Sequence, residues 1–532
     1  MKKMCVFAIS LACLILSGCS EKETCGNADQ KILKICYDHN PTTADPRRGG
    51  DMVTNVSSFM LFEGLTATNK EGNLEPSLAE SYEVSEDKTE YTFHLRPSKW
   101  SDGKPLTAHD FEYSWKTLLS PDFPSPCAFL LYPINNARQA KEGNVSTDEI
   151  GVKALDDHTL LVKLEKPCPY FLKLVSFYTF YPVPKHIDTV DPEWAFHPSS
   201  ETVSNGPFKI KSWQFGIEID CAKNEHYWND KAVHLDGINI SIISDPNTSL
   251  QMFEQGKFDW IGDPVSPIPV DALANSKCVF SNSIAACTFV PFNVDRFPFN
   301  NANIRKAFSY AMNREAITQH ITQMDEEPAT RFVPSVFAGY DQDELIPVRG
   351  DKQKALEFFT LGCQELGINA KDFPTLTLIS PVAGHYNKLA QALQQQLRDV
   401  LNVNIQISDK DLKLVLDDLV KRNYDFGLVM LVAQYQDPMN IFERFMFKQT
   451  PKNYSGFESS DYISLIDASF YAKSDAERNQ IFSEAEKLLA SEMPYAPLYF
   501  YNSHSLMKPN VKGLFMTPIS TLHFRDVDFS DE

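Results

Sequence analysis

The sequence lacks the local signatures of nucleophile, zinc and phosphate chemistry. It contains no G-x-S-x-G elbow, no H-E-x-x-H motif, no G-x-x-x-x-G-K-[ST] loop and no G-x-G-x-x-G turn. The 12 histidines are scattered, and the cysteines of the main body lack the close spacing of a zinc site or a C-x-x-C redox pair. We therefore expect no enzyme, no metal site and no cofactor, and we expect most cysteines to be small buried residues.

Positive charge is also scarce. Lysines and arginines number 50 against 70 aspartates and glutamates, so the formal net charge of the 532 residues is −20. Such an excess repels a phosphate backbone, and no basic stripe interrupts it, so charge-driven binding of nucleic acid is not expected. A cationic or zwitterionic ligand fits this surface more easily, although an acidic surface also serves solubility alone.

Long apolar runs are missing beyond the first residues. A short basic region precedes one apolar run, 4–16, which is too short to span a bilayer comfortably and is typical of a signal peptide. The small residues directly before Cys19 resemble the lipobox of bacterial lipoproteins, which implies removal of residues 1–18 and a diacylglyceryl group on Cys19. An ordinary signal peptide with an incidental cysteine is the alternative. Residues 19–30 are polar and aperiodic, which predicts a tether.

Strand, turn and helix signals follow one another in the first half of the chain. The alternation of apolar and polar residues over Tyr91–Leu95 predicts a half-buried strand. Thr107 and Asp110 have the spacing of a capping box, which predicts a helix that ends before Pro121. Two alternating stretches around a polar turn predict a β-hairpin over 152–164.

The second half alternates strand and helix patterns. In order they are a strand at 376–379, a helical stripe at 389–400, an alternating strand at 403–407, a second helical stripe at 412–419, and a buried strand at 426–432. This β-α-β-α-β order predicts a mostly parallel sheet covered by helices, with ligands at the carboxyl ends of its strands. The expected fold class is α/β.

A series of short motifs runs through the chain. In order they include Leu61–Leu65 (LFEGL), Leu78–Tyr82 (LAESY), Trp100–Trp115 (WSDGKPLTAHDFEYSW), Ser204–Lys209 (SNGPFK) and Tyr227–Asn229 (YWN). Taken together they closely resemble the oligopeptide-binding proteins of bacterial ABC transporters, which are family 5 extracellular solute-binding proteins of the peptide/nickel group. The resemblance covers essentially the whole mature chain, and its specificity lies in the order of the motifs.

This resemblance implies a periplasmic-binding-protein-like fold of type II. Two α/β lobes joined by a hinge would close over the ligand, and an extra lobe would be inserted into the first. On this chain lobe I would comprise residues 31–61, 185–287 and 501–532. The inserted lobe II would be 62–184, and the closing lobe III would be 288–500.

The same resemblance implies a receptor and not an enzyme. The protein would be lipid-anchored in the periplasm or at the cell membrane, bind extended oligopeptides between its lobes and deliver them to the permease subunits of an ABC transporter. Main-chain pairing with the peptide would give affinity without sequence preference. The implied partners are short peptides, the permease and the membrane reached through the lipid, and the implied state is a monomer.

The implied site for the peptide amine departs from the family pattern. The run Val432, Ala433, Gln434 and Tyr435 leads to Asp437, and the position that usually carries an aspartate for the peptide's α-ammonium is Gln434 here. A neutral amide still accepts a hydrogen bond, but losing the ionic part costs about 1.5 to 3 kcal/mol. If the register is shifted by a few residues, Asp437 is the carboxylate instead, and both possibilities stay open.

Two further stretches form the opposite wall in the resemblance. Cys287, Thr288 and Phe289 align with a crossing strand that pairs with the peptide backbone, and Asp51 with Met52 aligns with a loop facing the far side of the ligand. Backbone atoms would do most of this binding. Cys287 has a second interpretation as a packed core thiol.

Other functions are compatible with the sequence. A receptor for modified peptides such as muropeptides, or for another small solute, is motivated by Gln434 and by Leu428, a position that is often arginine in the family. An extracellular hydrolase would need a matched nucleophile and base, for which no motif is present. A chaperone or adhesin would bind unfolded protein regardless of peptide length.

Overall fold

The computed structural model describes residues 30–273, 279–337, 344–382, 384–450 and 452–530. The predicted signal peptide and the predicted lipid attachment site, Cys19, lie outside the described residues. The described cysteines are free and buried, as predicted: Cys36, Cys127, Cys168, Cys221, Cys287 and Cys363.

The largest sheet has nine strands and combines both ends of the chain with its middle. Its main path, in spatial order, is Phe208–Gln214, Glu218–Lys223, Gly237–Ile242, Ile32–Tyr37, Trp260–Gly262, Tyr495–Met507, Val279–Pro291 and Val429–Val432, and Glu327–Pro328 pairs beside Tyr495–Met507. Ile32–Tyr37 is parallel to both of its neighbours, and the other pairs are antiparallel. This central strand buries Leu33 and Ile35 on one face, and on the other face it buries Cys36 while Lys34 is exposed.

Two long strands pass through this sheet side by side. Val279–Pro291 and Tyr495–Met507 contain 13 residues each and pair antiparallel along most of their length. Both strands are extended and heavily buried over the part that contacts the second half of the chain. They are the covalent links between the β-rich first half and the helix-rich region that follows Pro291.

A separate antiparallel sheet lies within the predicted inserted lobe. Its strands, in spatial order, are Ala79–Val84, Glu90–Leu95, Thr159–Lys163 and Val152–Asp156. The predicted strand at Tyr91–Leu95 and the predicted hairpin over 152–164 are therefore confirmed. The predicted helix is also confirmed at Ala108–Leu118, where Thr107 and Asp110 form the capping box.

The predicted β-α-β-α-β region forms a three-stranded parallel sheet in the order Ile405–Lys410, Leu376–Pro381 and Phe426–Gly427. The helices Tyr386–Leu401 and Leu412–Lys421 connect its strands. The first helix buries its apolar stripe, with Leu389, Leu393 and Leu397 fully buried. In the second helix Val415 and Leu419 are buried, whereas Leu412 and Leu416 of the predicted stripe are exposed. The mostly parallel sheet is confirmed.

The prediction of one continuous strand over 426–432 is wrong. Phe426–Gly427 belongs to the parallel sheet, whereas Val429–Val432 pairs antiparallel with Val279–Pro291 in the largest sheet. The fully buried Leu428 lies between them and donates its backbone N–H to the carbonyl of Ile379 at 3.0 Å. A run that is apolar throughout carries no alternation to mark the residue at which it changes sheets.

The remaining elements complete the packing. The other helices of nine or more residues are Met52–Leu61, Pro246–Glu254, Ala302–Ala311, Lys352–Glu365, Ser460–Phe470 and Asp475–Glu492. Short strand pairs are Thr66–Thr68 with Leu74–Pro76, Ser98–Lys99 with Pro105–Leu106, Val511–Lys512 with Asp528–Phe529, and Phe515–Met516 with Leu522–His523. Across the described ranges, every helix is too short or too polar to cross a bilayer.

Candidate ligand cavity

A cavity of about 310 Å³ lies where distant parts of the chain meet. One wall is the helix Met52–Leu61, which contributes residues from Met52 to Phe59, and another is the strand Val429–Val432 with the residues that follow it. The side chains and backbone that line it are Gly50, Met52, Asn55, Val56, Phe59, Cys127, Phe177, Tyr178, Leu416, Met430, Leu431, Val432, Ala433, Gln434, Arg444, Lys452, Tyr454, Ile519, Ser520 and Thr521. These residues come from all three of the predicted lobes.

Four of the predicted site residues line this cavity: Met52, Val432, Ala433 and Gln434. Gln434 makes three hydrogen bonds to other residues. Its amide nitrogen donates to the Cys127 sulfur at 3.4 Å, its amide oxygen accepts from the Lys452 ammonium at 3.3 Å, and its backbone N–H donates to Asn440 Oδ1 at 3.3 Å. The amide therefore links the strand to the part of the chain that contains Cys127.

Two cations that line the cavity, Arg444 and Lys452, were not predicted from the sequence. Lys452 lies in a loop, and Arg444 follows Glu443 in the otherwise apolar stretch Ile441–Met446. Arg444 is 4% exposed, and its guanidinium donates to the carbonyls of Val432 and Asn440 and to the Asn440 side chain at 2.8 to 2.9 Å. The charged pair Glu443 and Arg444 inside an otherwise apolar stretch is the signal from which Arg444 could have been found.

Burial controls the protonation of this region. The pKa of Lys452 is lowered to about 8, chiefly by burial and also by the neighbouring Arg444, while Cys127 and Glu443 oppose the change. Burial also raises the pKa of Glu443 to about 7, so this carboxyl is fully ionised only above neutral pH. The pKa of the Cys127 thiol is raised, chiefly by burial, which keeps it protonated.

Two polar atoms of the cavity lining have no hydrogen-bond partner among the described residues. They are Oδ1 of Asn55, on the helix wall, and Oγ of Ser520, a residue that is 3% exposed. Buried polar atoms in folded proteins are nearly always paired, and each exception calls for a partner such as water or a ligand. The two residues line the cavity, but both atoms are themselves buried.

The structure places Asp437 outside the lining, in a buried ion pair. Both of its oxygens accept from the guanidinium of Arg478, at 2.8 and 2.7 Å. The backbone N–H of Met439 also donates to it at 3.0 Å, and the Lys173 ammonium lies 3.7 Å away. A peptide amine at Asp437 would have to compete with this arginine.

Tyr435 and Asp51 also lie outside the lining. The Tyr435 ring is 1% exposed and stacks on Tyr170, with ring centroids 4.9 Å apart. Asp51 caps helix Met52–Leu61, because its carboxylate accepts from the backbone N–H of Thr54 at 2.8 Å. Their contact with a ligand stays a prediction.

Cys287, Thr288 and Phe289 lie inside the largest sheet. Thr288, for example, is opposite Met430 on one side and Tyr499 on the other. With strands on both edges, this stretch has no free edge for a peptide backbone in this conformation. All three side chains are fully buried, and their predicted role in binding stays a prediction. Across the described ranges, no cluster of three or more His, Cys, Asp or Glu residues could hold a metal ion.

Comparison with known proteins agrees with this architecture. A family model described as bacterial extracellular solute-binding proteins, family 5 Middle, matches residues 73–453. The oligopeptide-binding protein OppA of Bacillus subtilis is 33% identical over 97% of each chain. Among solved structures, the murein tripeptide-binding protein MppA of Escherichia coli is 26% identical, with a TM-score of 0.81 over 95% of this chain and 99% of that one. Listeria monocytogenes OppA bound to peptide is also 26% identical, with a TM-score of 0.78 over 95% and 100%. The predicted two-lobed α/β fold with an inserted lobe is thereby confirmed.

Proposed function

Since the chain belongs to family 5 of the bacterial extracellular solute-binding proteins, we propose that it is the peptide-binding component of an ABC importer. The observation that carries this proposal is the cavity, which is lined by residues from all three of the predicted lobes. Helix Met52–Leu61 and strand Val429–Val432 are far apart in sequence and meet at this cavity. A ligand held there would contact both lobes and favour their closure.

Binding without chemistry is part of the proposal. The lining contains neither a histidine nor a carboxylate to act as a base, and burial keeps the Cys127 thiol protonated. The relatives named above are described as binding proteins. We therefore assign the cavity to recognition and release of an intact ligand.

The export route and the lobe boundaries belong to the same proposal. Residues 1–18 would direct export, and lipid on Cys19 would hold the protein on the extracytoplasmic side of a membrane, within reach of the permease. Lobe I would comprise 31–61, 185–287 and 501–532, lobe II 62–184 and lobe III 288–500. The crossing strands Val279–Pro291 and Tyr495–Met507 would then form the hinge.

A receptor for modified peptides is the second candidate. The position aligned with the family's amine-binding aspartate is the neutral Gln434, and its amide oxygen faces a lysine ammonium. An ordinary peptide amine would gain no ion pair there. MppA of Escherichia coli, named as a murein tripeptide-binding protein, shows that this fold also serves modified peptides.

A cavity-filling variant tests the proposed binding site. Met52→Trp adds a ring at the helix wall and should abolish peptide binding in titration calorimetry of ligand-free protein against a pool of short peptides. Val190→Trp is the matched control, because Val190 is 84% exposed. Equal binding by wild type and Met52→Trp would contradict the assignment of this cavity.

A further inference from the structure

The charges around the cavity are the reverse of those that an ammonium group needs. The lining contains two cations, Arg444 and Lys452, and no aspartate or glutamate, although the whole chain has a net charge of −20. A random part of so acidic a protein would carry more carboxylates than cations. The cavity is therefore a locally positive site within an acidic molecule.

Arg444 is buried without a carboxylate partner within ion-pair distance among the described residues. Its hydrogen bonds go to the carbonyls of Val432 and Asn440 and to the Asn440 side chain, all of which are neutral. Neutral acceptors satisfy the donors of a guanidinium but do not compensate its charge. The charge of Arg444 thus remains available to an anion in the cavity.

Lys452 has the same character. Its ammonium has one hydrogen bond among the described residues, to the Gln434 amide oxygen at 3.3 Å, and lies 5.4 Å from the centre of the Phe129 ring. It forms no ion pair within the described ranges. An amide oxygen and an aromatic face are weak compensation for a charge that is largely removed from water.

Glu443 is the carboxyl group that bears on both cations, since it contributes to the electrostatics of Arg444 and Lys452. It does not line the cavity, and burial raises its pKa to about 7. Glu443 is therefore only partly ionised near neutral pH. It reduces the positive potential at the cavity without supplying an ion-pair partner.

We propose that this cavity binds a carboxylate of the ligand, at the position where relatives are expected to hold a peptide amine. The inference rests on the proposed peptide-binding function and specifies its ligand class: a peptide that presents a carboxylate between Lys452 and Arg444. Two sources supply that group. One is an acidic group at the amine end, and the other is the terminal carboxylate of a peptide lying in the reverse direction.

Four derivatives of one peptide separate these sources in titration calorimetry. N-succinyl-trialanine amide has a carboxylate only at its amine end, and N-acetyl-trialanine has one only at its carboxyl end. Trialanine amide carries only an ammonium, and N-acetyl-trialanine amide carries no charge. We expect one of the two carboxylate peptides to bind at least about 10-fold more tightly than the last two, the size of one charged hydrogen bond.

Lys452→Met keeps the volume of the side chain and removes its charge. It should reduce that preference about 10-fold, because one charged hydrogen bond is lost while Arg444 remains. Lys452→Arg keeps the charge and should retain the preference. Lys70→Met, at a side chain that is 71% exposed, controls for the loss of one positive charge elsewhere.

The outcomes distinguish failure of the carboxylate site from failure of the proposed peptide-binding function. If trialanine amide binds best and Lys452→Met leaves its affinity unchanged or improved, the carboxylate site is wrong and the peptide receptor stands. If none of the four derivatives and no member of a mixed peptide pool binds, both proposals are overturned. Circular dichroism and thermal unfolding of Lys452→Met establish that the variant is folded.

Discussion

Gln434 is the residue at which the sequence analysis expects a departure from the family pattern. Its register was predicted from the run that ends at Asp437, and the structure places its side chain in the cavity lining, 3.3 Å from the Lys452 ammonium. No pattern in the sequence indicated that a lysine from a distant loop would lie there. The place of Gln434 in the site was therefore predictable from the sequence, but the charged residue beside it was not.

Gln434→Asp should reverse the preference of the cavity. The new carboxylate would lie beside Lys452 and supply the ion-pair partner that the lysine lacks, so a ligand carboxylate would be repelled and an ammonium accepted. We expect trialanine amide to gain about 10-fold in affinity from one charged hydrogen bond. Calorimetry measures this change, with Gln434→Asn as the neutral control. A gain with Asn as large as with Asp would show that charge is not the cause.

Binding of a carboxylate peptide should weaken as the pH rises through about 8. Burial lowers the pKa of Lys452 to about 8, and only the protonated ammonium attracts an anion. Glu443, whose pKa is raised to about 7, becomes negative over the same rise and acts in the same direction. Dissociation constants of wild type measured on both sides of this pKa provide the test, and the pH dependence should shrink in Lys452→Met. A flat profile for wild type would contradict the role of the lysine.

Asp437 should contribute to stability and not to ligand affinity. Its ion pair with Arg478 is buried, with 3% and 10% of the two side chains exposed. Asp437→Asn leaves the arginine without its charge partner and should lower the free energy of unfolding by about 3 kcal/mol, measured by urea denaturation. Asp467→Asn, at an exposed pair with Lys166, should cost less than about 1 kcal/mol. Loss of peptide affinity without loss of stability would instead identify Asp437 as a ligand contact.

At the scale of elements, the helices and the isolated sheets follow from sequence because each carries its own periodicity and end signals. The capping box at Thr107 and the apolar stripe at Leu389, Leu393 and Leu397 indicate helices without any knowledge of the rest of the fold. The break at Leu428 is different. The position of this break depends on which sheet each of the two flanking strands joins. Packing against Val279–Pro291 and Leu376–Pro381 decides that choice.

The helix Met52–Leu61 depends on Asp51 for its first turn. Asp51 accepts the backbone N–H of Thr54 and its hydroxyl, at 2.8 and 2.6 Å. Asp51→Ala should lower the free energy of unfolding by about 1 kcal/mol, whereas Asp51→Ser should restore most of it because serine also caps helices. Urea denaturation measures both variants. An unchanged stability in Asp51→Ala, together with weaker peptide binding, would favour direct contact with the ligand.

At the scale of the whole molecule, the fold class could be predicted from ordered motifs, but the cavity could not. Its walls come from the helix at Met52, the strand that ends at Val432 and the segment around Ser520. These parts are far apart in sequence and meet only in the folded chain. Local patterns carry no information on which distant side chains share a cavity, so Arg444 and Lys452 emerge only from the three-dimensional arrangement.

The proposed attachment to a membrane also belongs to the scale of the whole molecule. If the sulfur of Cys19 carries lipid, the protein expressed in a bacterial host should fractionate with membranes and incorporate labelled palmitate. Cys19→Ser should give a protein in the soluble fraction without label, because one or more buried acyl chains supply the membrane affinity. Membrane association that persists in Cys19→Ser would contradict the lipid anchor.

Native mass spectrometry of the mature protein without Cys19 tests the central claim most directly. Ligand-free protein would be offered one mixed pool of short peptides, their N-succinyl derivatives and murein peptides. The peptide-receptor account predicts complexes with one bound peptide per chain, enriched in members that present a carboxylate to the cavity, and lost in Met52→Trp. Retention of no peptide from the pool, or equal retention by Met52→Trp, would contradict it.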